Sequence, residues 1–74
     1  MDDELMSKRF HIENKVFFFD LKENPNGEYV KITEKCGDKR SFIIVPRDGF
    51  PSFLDAVREF FDSLNDSSTG TPSA

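Results

Sequence analysis

The fold is most clearly predicted from residues 15 to 32: Lys15-Val16-Phe17-Phe18-Phe19-Asp20-Leu21-Lys22-Glu23-Asn24-Pro25-Asn26-Gly27-Glu28-Tyr29-Val30-Lys31-Ile32. Apolar and polar residues alternate on both sides of the segment 24–27, which combines asparagine, proline and glycine. Alternation with a period of two is typical of β-strands. Asparagine, proline and glycine are common in tight turns. The stretch therefore predicts a β-hairpin.

The two faces of this hairpin differ in chemistry. One face, called the apolar face below, carries Phe17, Phe19, Leu21, Val30 and Ile32. The other, called the mixed face, carries Val16, Phe18, Asp20, Lys22, Tyr29, Lys31 and Thr33. A surface that combines rings with cations suits single-stranded nucleic acid, because bases stack on rings and phosphates pair with lysines.

Further strands are expected on both sides of the hairpin. The alternation predicts four strands, at residues 8–13, 16–22, 28–35 and 40–45, with a flexible head over residues 1–6. Phe10 and Ile12 of the first strand continue one face. The pattern does not fix which way the fourth strand faces. Because the predicted connections are short, a sequential antiparallel meander is the simplest topology.

The period changes after the fourth strand. Apolar residues recur with the i, i+3, i+4, i+7 spacing of an amphipathic helix, at Phe50, Phe53, Leu54, Val57, Phe60, Phe61 and Leu64. Pro51 fits the first turn of such a helix. We expect an α+β fold of the form ββββα with the helix on the apolar face. Residues 4–64 form the predicted domain, and residues 65–74, which are small and polar, a disordered linker or tail.

Charge is distributed unevenly along the chain. The net charge is −4, which argues against nucleic-acid binding when taken alone. Residues 8–47, however, hold nine bases and six acids, whereas residues 48–64 hold four acids and one base. Since charges farther apart than about 8 Å are screened at physiological salt, a basic sheet can act locally beside an acidic helix.

The size of the chain points to a partner. With 74 residues it forms one small domain, and such domains are marginal without disulfides, metals or oligomerisation. Cys36 and His11 are each the single residue of their type, so neither an intrachain disulfide nor a Cys/His zinc site is predicted. The nine phenylalanines therefore favour pairing with a second copy or a sister repeat. A dense core within one chain is the alternative.

Catalysis and membrane insertion are not expected. His11 and Cys36 have no evident catalytic partner, the acids are scattered, and no phosphate-binding glycine-rich loop is present. We predict no catalytic residue, no metal site and no cofactor. The sequence lacks an apolar run of about 18 residues, so no membrane-spanning helix is predicted. A single cysteine fits a reducing compartment, which favours the nucleus and cytoplasm.

Several segments resemble a known repeat. They are Glu4-Leu5-Met6-Ser7-Lys8, residues 15–27, Lys31-Ile32 and Arg40-Ser41-Phe42-Ile43-Ile44-Val45-Pro46. Together they are similar to one PUR repeat of the PUR-alpha family, the purine-rich-element binding proteins, over about residues 4–64. They look most like a first repeat. The resemblance implies a ββββα unit that intertwines with a second repeat, as a homodimer or with a sister repeat, into a domain similar to the Whirly fold.

The resemblance also implies a function. The family binds purine-rich, G-rich single-stranded DNA and RNA and acts in transcription and in the regulation of messenger RNA. Its sheet and its Lys-x-Asn-x-x-Gly segment, here Lys22, Asn24 and Gly27, are implicated in the contact. The residue after this glycine is commonly basic in the family, whereas Glu28 stands here. This departure removes one cation from the expected binding edge.

The sequence therefore gives two sets of candidate residues. The predicted nucleic-acid-binding residues are Phe18, Lys22, Asn24, Tyr29, Lys31 and Arg40, and the seven apolar helix residues are the predicted dimer or repeat interface. Alternatives exist, because the rings can pack against a partner repeat, the lysines can be ordinary solvated strand residues and the asparagine can only shape the turn. A self-association module with little affinity for nucleic acid is the competing hypothesis, and a protein-binding β-sheet unrelated to this family is a third.

Overall fold

A computed structural model describes the backbone of residues 3–67 and the side chains of residues 3–65. Its elements are β1 (Asp3–Ile12), β2 (Lys15–Asn24), β3 (Gly27–Cys36), β4 (Lys39–Pro46), a 3₁₀ turn (Arg47–Gly49) and α1 (Phe50–Ser67). The strands form one sheet in the order β1-β2-β3-β4, and each pair is antiparallel. The predicted ββββα fold is confirmed.

Two boundaries differ from the prediction by more than two residues. β1 begins at Asp3, inside the segment expected to be a flexible head, because Asp3 and Glu4 still pair with β2. Backbone hydrogen bonds extend the strand there in spite of its acidic side chains, with a shift of register between Glu4 and Met6. α1 begins at Phe50 as predicted but extends to Ser67. The remainder of the expected tail, residues 68–74, lies outside the described residues.

The hairpin between β2 and β3 has the predicted turn. The side-chain Oδ1 of Asn24 accepts a hydrogen bond from the backbone N–H of Asn26 at 2.8 Å. Gly27 follows with a φ of 131°, a conformation that residues with a Cβ rarely adopt. This turn places Phe19 opposite Ile32 and Leu21 opposite Val30, which confirms the predicted apolar face.

The facing of β4, which the pattern left open, follows from its register with β3. Ile43 pairs with Ile32 and Val45 with Val30, so both extend the apolar face. The alternate residues of β4, among them Phe42, lie on the mixed face. Both faces of this edge strand therefore carry apolar side chains.

The apolar face is only partly covered. Phe10 stacks on Phe17 with ring centroids 5.4 Å apart and meets Phe19 edge-on at 5.3 Å. Val30 is buried, with 7% of its surface exposed, yet Ile43 beside it on the same face is 50% exposed. Among the described residues no large side chain is fully buried.

The helix does not cover the apolar face, so that expectation is wrong. α1 contacts mainly β4 and the 3₁₀ turn, and the radius of gyration is 15.4 Å against about 11 Å for a compact domain of this length. Phe50 and Phe53 in its first turns are half-buried, whereas Phe60 is 66% exposed. The physical reason is the connection: three residues lead from the edge strand into the helix, and Arg47 in this turn forms an ion pair with Glu28 of β3. The sheet and the helix thus both leave apolar surface open.

Candidate nucleic-acid interface

Cross-strand pairing arranges the mixed face in rows that run from β1 to β4. The four rows are Glu4–Lys22–Tyr29–Pro46, Ser7–Asp20–Lys31–Ile44, Arg9–Phe18–Thr33–Phe42 and His11–Val16–Lys35–Arg40. These rows hold five cations and two acids, so the mixed face has a surplus of three positive charges although the chain as a whole is acidic. A local surplus of this kind attracts phosphate.

The structure brings the four central candidates to one surface. Phe18, Lys22, Tyr29 and Lys31 all lie on the mixed face, and each is half-buried, with part of its surface open to solvent. Tyr29 is directly opposite Lys22, whereas Phe18 lies two rows away, about 13 Å along the strand. The two rings are therefore placed to contact different bases rather than to enclose one.

The other two candidates lie at the margins of this surface. Asn24 lies at the end of β2, where its side chain shapes the turn. Base contact by Asn24 stays a prediction. Arg40 belongs to the row farthest from that turn, but its side chain reaches the same shallow cavity as the lysines. Arg40 therefore belongs with the residues that line the cavity, whereas Asn24 lies in the turn at the edge of the mixed face.

A shallow cavity marks the centre of the mixed face. Its volume is about 140 Å³, and it is lined by Phe18, Asp20, Lys22, Lys31, Thr33 and Arg40. Thr33 at its floor is buried, with 6% of its surface exposed. The walls combine one ring, three cations and one carboxylate, so the cavity can contact the flat side of a base, a phosphate and a hydrogen-bond donor at once.

Phe42 is a residue that the sequence reasoning missed. The ammonium of Lys31 lies 4.4 Å from the centroid of its ring, a cation–π contact across β3 and β4. The contact holds the charge of Lys31 over the mixed face. The signal that could have revealed Phe42 is the two-residue turn Gly37-Asp38, because a turn of that length fixes the register of the hairpin and hence the facing of β4.

Asp20 was placed on the mixed face by its sequence position but given no role. Its Oδ1 accepts a hydrogen bond from the hydroxyl of Ser7 at 2.6 Å, which links β1 to β2. Across the sheet its position pairs with Lys31. A carboxylate thus stands in the middle of a basic surface.

The remaining ion pairs lie away from the mixed face. The ammonium of Lys15 contacts Glu34 at 2.6 Å, and the hydrogen bond and charge of Glu34 raise the pKa of Lys15. Arg47 pairs with Glu28, the residue that stands where a base was expected. Glu28 therefore links β3 to the turn before α1, and the guanidinium of Arg47 neutralises its charge.

Two other features are absent from the part of the chain that the structure describes. Within residues 3–65, no three side chains of the types that ligate metals converge on a point that could hold an ion. No helix in the described residues has the length and apolarity needed to cross a membrane.

Comparison with known proteins agrees with this geometry. Residues 2–71 match the model of the family described as PurA ssDNA and RNA-binding protein. The chain is 52% identical over 62 residues to "Transcription factor Pur-alpha 1" of Arabidopsis thaliana, which is 84% of this chain and 21% of that protein. It is 35% identical over 60 residues both to human "Transcriptional regulator protein Pur-beta" and to human "Transcriptional activator protein Pur-alpha", in each case 80% of this chain and 19% of the relative. The chain thus spans about a fifth of the length of these relatives.

Proposed function

Because this chain belongs to the PurA family of single-stranded DNA and RNA-binding proteins, we propose that its mixed face binds purine-rich single-stranded DNA or RNA. The repeat acts as half of a two-repeat unit, in the regulation of transcription or of messenger RNA, in the nucleus and cytoplasm. The observation that carries the proposal is the mixed face itself, which presents the rings of Phe18, Tyr29 and Phe42 among a surplus of three positive charges.

The binding combines two contributions. Phosphates pair with Lys22, Lys31 and Arg40 around the cavity. Bases stack on Phe18 and Tyr29, and each stacked base contributes about 1–3 kcal/mol. Because the net charge of the chain is −4, we expect weaker affinity than in a uniformly basic module and a strong dependence on salt.

The second half of the proposal concerns pairing. The apolar stripe of α1 and the apolar face of the sheet are both open in one chain. In the proposed pair, each of these surfaces covers the other surface in a second copy or a sister repeat. Burying the exposed half of five helix side chains on each of two copies contributes about 8–15 kcal/mol. That is comparable with the association cost of about 4–15 kcal/mol. Residues 4–64 form the proposed repeat.

The test of strand binding is a titration with a purine-rich single-stranded oligonucleotide at several salt concentrations. We expect the double variant Lys22→Glu, Lys31→Glu to bind more weakly and to lower the salt slope by about one unit for each lysine that no longer pairs with a phosphate. Lys39→Glu is the control, because Lys39 does not line the cavity and alternates with Arg40 to the other face of β4. A wild-type chain whose binding is absent or indifferent to salt would refute the proposal.

A second candidate function is self-association without nucleic-acid binding. The observation that favours it is the exposed helix stripe, exemplified by Phe60 and Phe61 at 66% and 55% exposure. In that case the chain dimerises, binds no strand, and the double lysine variant leaves its behaviour unchanged.

A further inference from the structure

We propose that Asp20 recognises guanine: its carboxylate accepts hydrogen bonds from the N1–H and N2–H groups of one base held in the cavity of the mixed face. The inference rests on the proposed function, because it names the base that occupies this same surface. It assigns to one residue a preference for guanine that charge and stacking alone do not produce.

The carboxylate is in an unexpected place. A surface that binds phosphate gains nothing from a negative charge at its centre, yet Asp20 lies in the middle of the sheet beside Lys22 and opposite Lys31. Its Oδ1 already accepts one hydrogen bond, from Ser7 at 2.6 Å. A carboxylate offers about four acceptor positions, so it can accept further donors beside this hydrogen bond.

The cavity is shallow and open to solvent, with a volume of about 140 Å³. An unpaired base can therefore reach its lining residues from the solvent side. The ring of Phe18 in the wall offers a stacking surface, and the carboxylate lies in the same wall.

Guanine is the base whose edge fits this arrangement. Single-stranded bases are recognised through hydrogen bonds on their exposed edges. Guanine presents two adjacent donors, N1–H and N2–H, next to the acceptor O6, whereas adenine and cytosine place an acceptor beside their amino group and uracil and thymine place one donor between two acceptors. Asp20 matches the two donors, and the ammonium of Lys22 or Lys31 in the same cavity matches O6. Hydrogen bonds to an ionised acceptor are about twice as strong as neutral ones, which makes the match selective.

A purely structural role for Asp20 predicts different behaviour. If the carboxylate serves only to join β1 to β2 through Ser7, then Ser7→Ala lowers stability, and neither Ser7→Ala nor Asp20→Asn affects the choice of base. If the carboxylate recognises guanine, Asp20→Asn loses the preference for guanine, whereas Ser7→Ala retains it because the carboxylate is still present.

The experiment compares a short single strand carrying isolated guanines with the same strand carrying inosine, which lacks the N2 amino group. We expect the wild-type chain to bind the guanine strand about tenfold more tightly than the inosine strand. This ratio corresponds to the low end of the free energy of one hydrogen bond to a charged group, because the site is partly solvated. Asp20→Asn is expected to bring this ratio close to one, while its affinity for an all-adenine strand does not fall, because a negative charge has left the surface.

Two controls accompany the measurement. Ser7→Ala removes the same interstrand hydrogen bond, and Glu23→Gln removes the same charge from an exposed position beside the turn that does not line the cavity. Both are expected to keep the guanine-to-inosine ratio. Equal binding of the two strands by the wild-type chain, or an unchanged ratio in Asp20→Asn, overturns the guanine assignment and leaves strand binding intact. Failure of the wild-type chain to bind any single strand overturns both proposals.

Discussion

Lys15 gives the clearest consequence of a single contact. Its ammonium pairs with Glu34, which raises its pKa above the unfolded value of about 10.4. The folded state therefore holds this proton more tightly than the unfolded state. The stabilisation is complete below pH about 10.4 and is lost as the pH rises through the higher, folded pKa.

This linkage predicts a small effect, because Lys15 is exposed and surface ion pairs contribute little. The wild-type chain should melt at a slightly higher temperature than Lys15→Gln at pH about 8, and the difference should shrink as the pH rises through the folded pKa of Lys15. Thermal unfolding of both chains over a series of alkaline pH values checks this. A difference that stays constant across the range would show that the pair does not contribute through its charge.

Single residues also show what the sequence could and could not predict. Side chains alternate between the two faces along a strand, so the sequence alone predicts a common face for four residues: Phe18, Lys22, Tyr29 and Lys31. The cation–π contact of Lys31 and the bond between Ser7 and Asp20 involve pairs of strands, so they depend on the register of neighbouring hairpins. Periodicity within one strand contains no information on register, and those contacts could not be predicted from it.

At the scale of elements, α1 is the part whose environment was mispredicted. Its period gave the start at Phe50 and the apolar stripe, but a period shows only which side of a helix is apolar, not which surface covers that side. The expectation that the apolar face of the same chain covers the stripe is wrong, because α1 contacts mainly β4 and the 3₁₀ turn and the stripe stays open. That the stripe forms a dimer or repeat interface stays a prediction.

The open stripe predicts a specific effect on self-association. Phe60→Ser should weaken the dimer by about 5- to 150-fold, because it removes a large apolar side chain from the proposed interface. Since Phe60 is 66% exposed in one chain, the fold of that chain should change little. Sedimentation equilibrium measures the dissociation constant.

The control for this experiment is Glu59→Ser. Glu59 lies on the opposite side of α1 from the stripe, so its replacement should leave the dimer intact. If the wild-type chain sediments as a monomer, or if the two variants weaken association equally, the helix stripe is not the interface.

At the scale of the whole molecule, the two sides of the sheet serve separate purposes. The mixed face carries the surplus of positive charge, and the apolar face with α1 carries the surface that needs a partner. The net charge of −4 conceals this separation, because among the described acids only Glu4 and Asp20 lie in the rows of the mixed face. A sum over the sequence could not show it, whereas the strand pairing does.

Consecutive phenylalanines on β2 allow the most direct test of this separation. Phe18 faces the mixed side, while Phe17 and Phe19 face the apolar side one residue away. The aromatic-ring resonances of an isotope-labelled chain can be followed by NMR during titration with a purine-rich single strand. Stacking of bases predicts large shifts for the rings of Phe18 and Tyr29 and little change for Phe17 and Phe19. Equal or larger shifts for Phe17 and Phe19 would contradict binding through the mixed face.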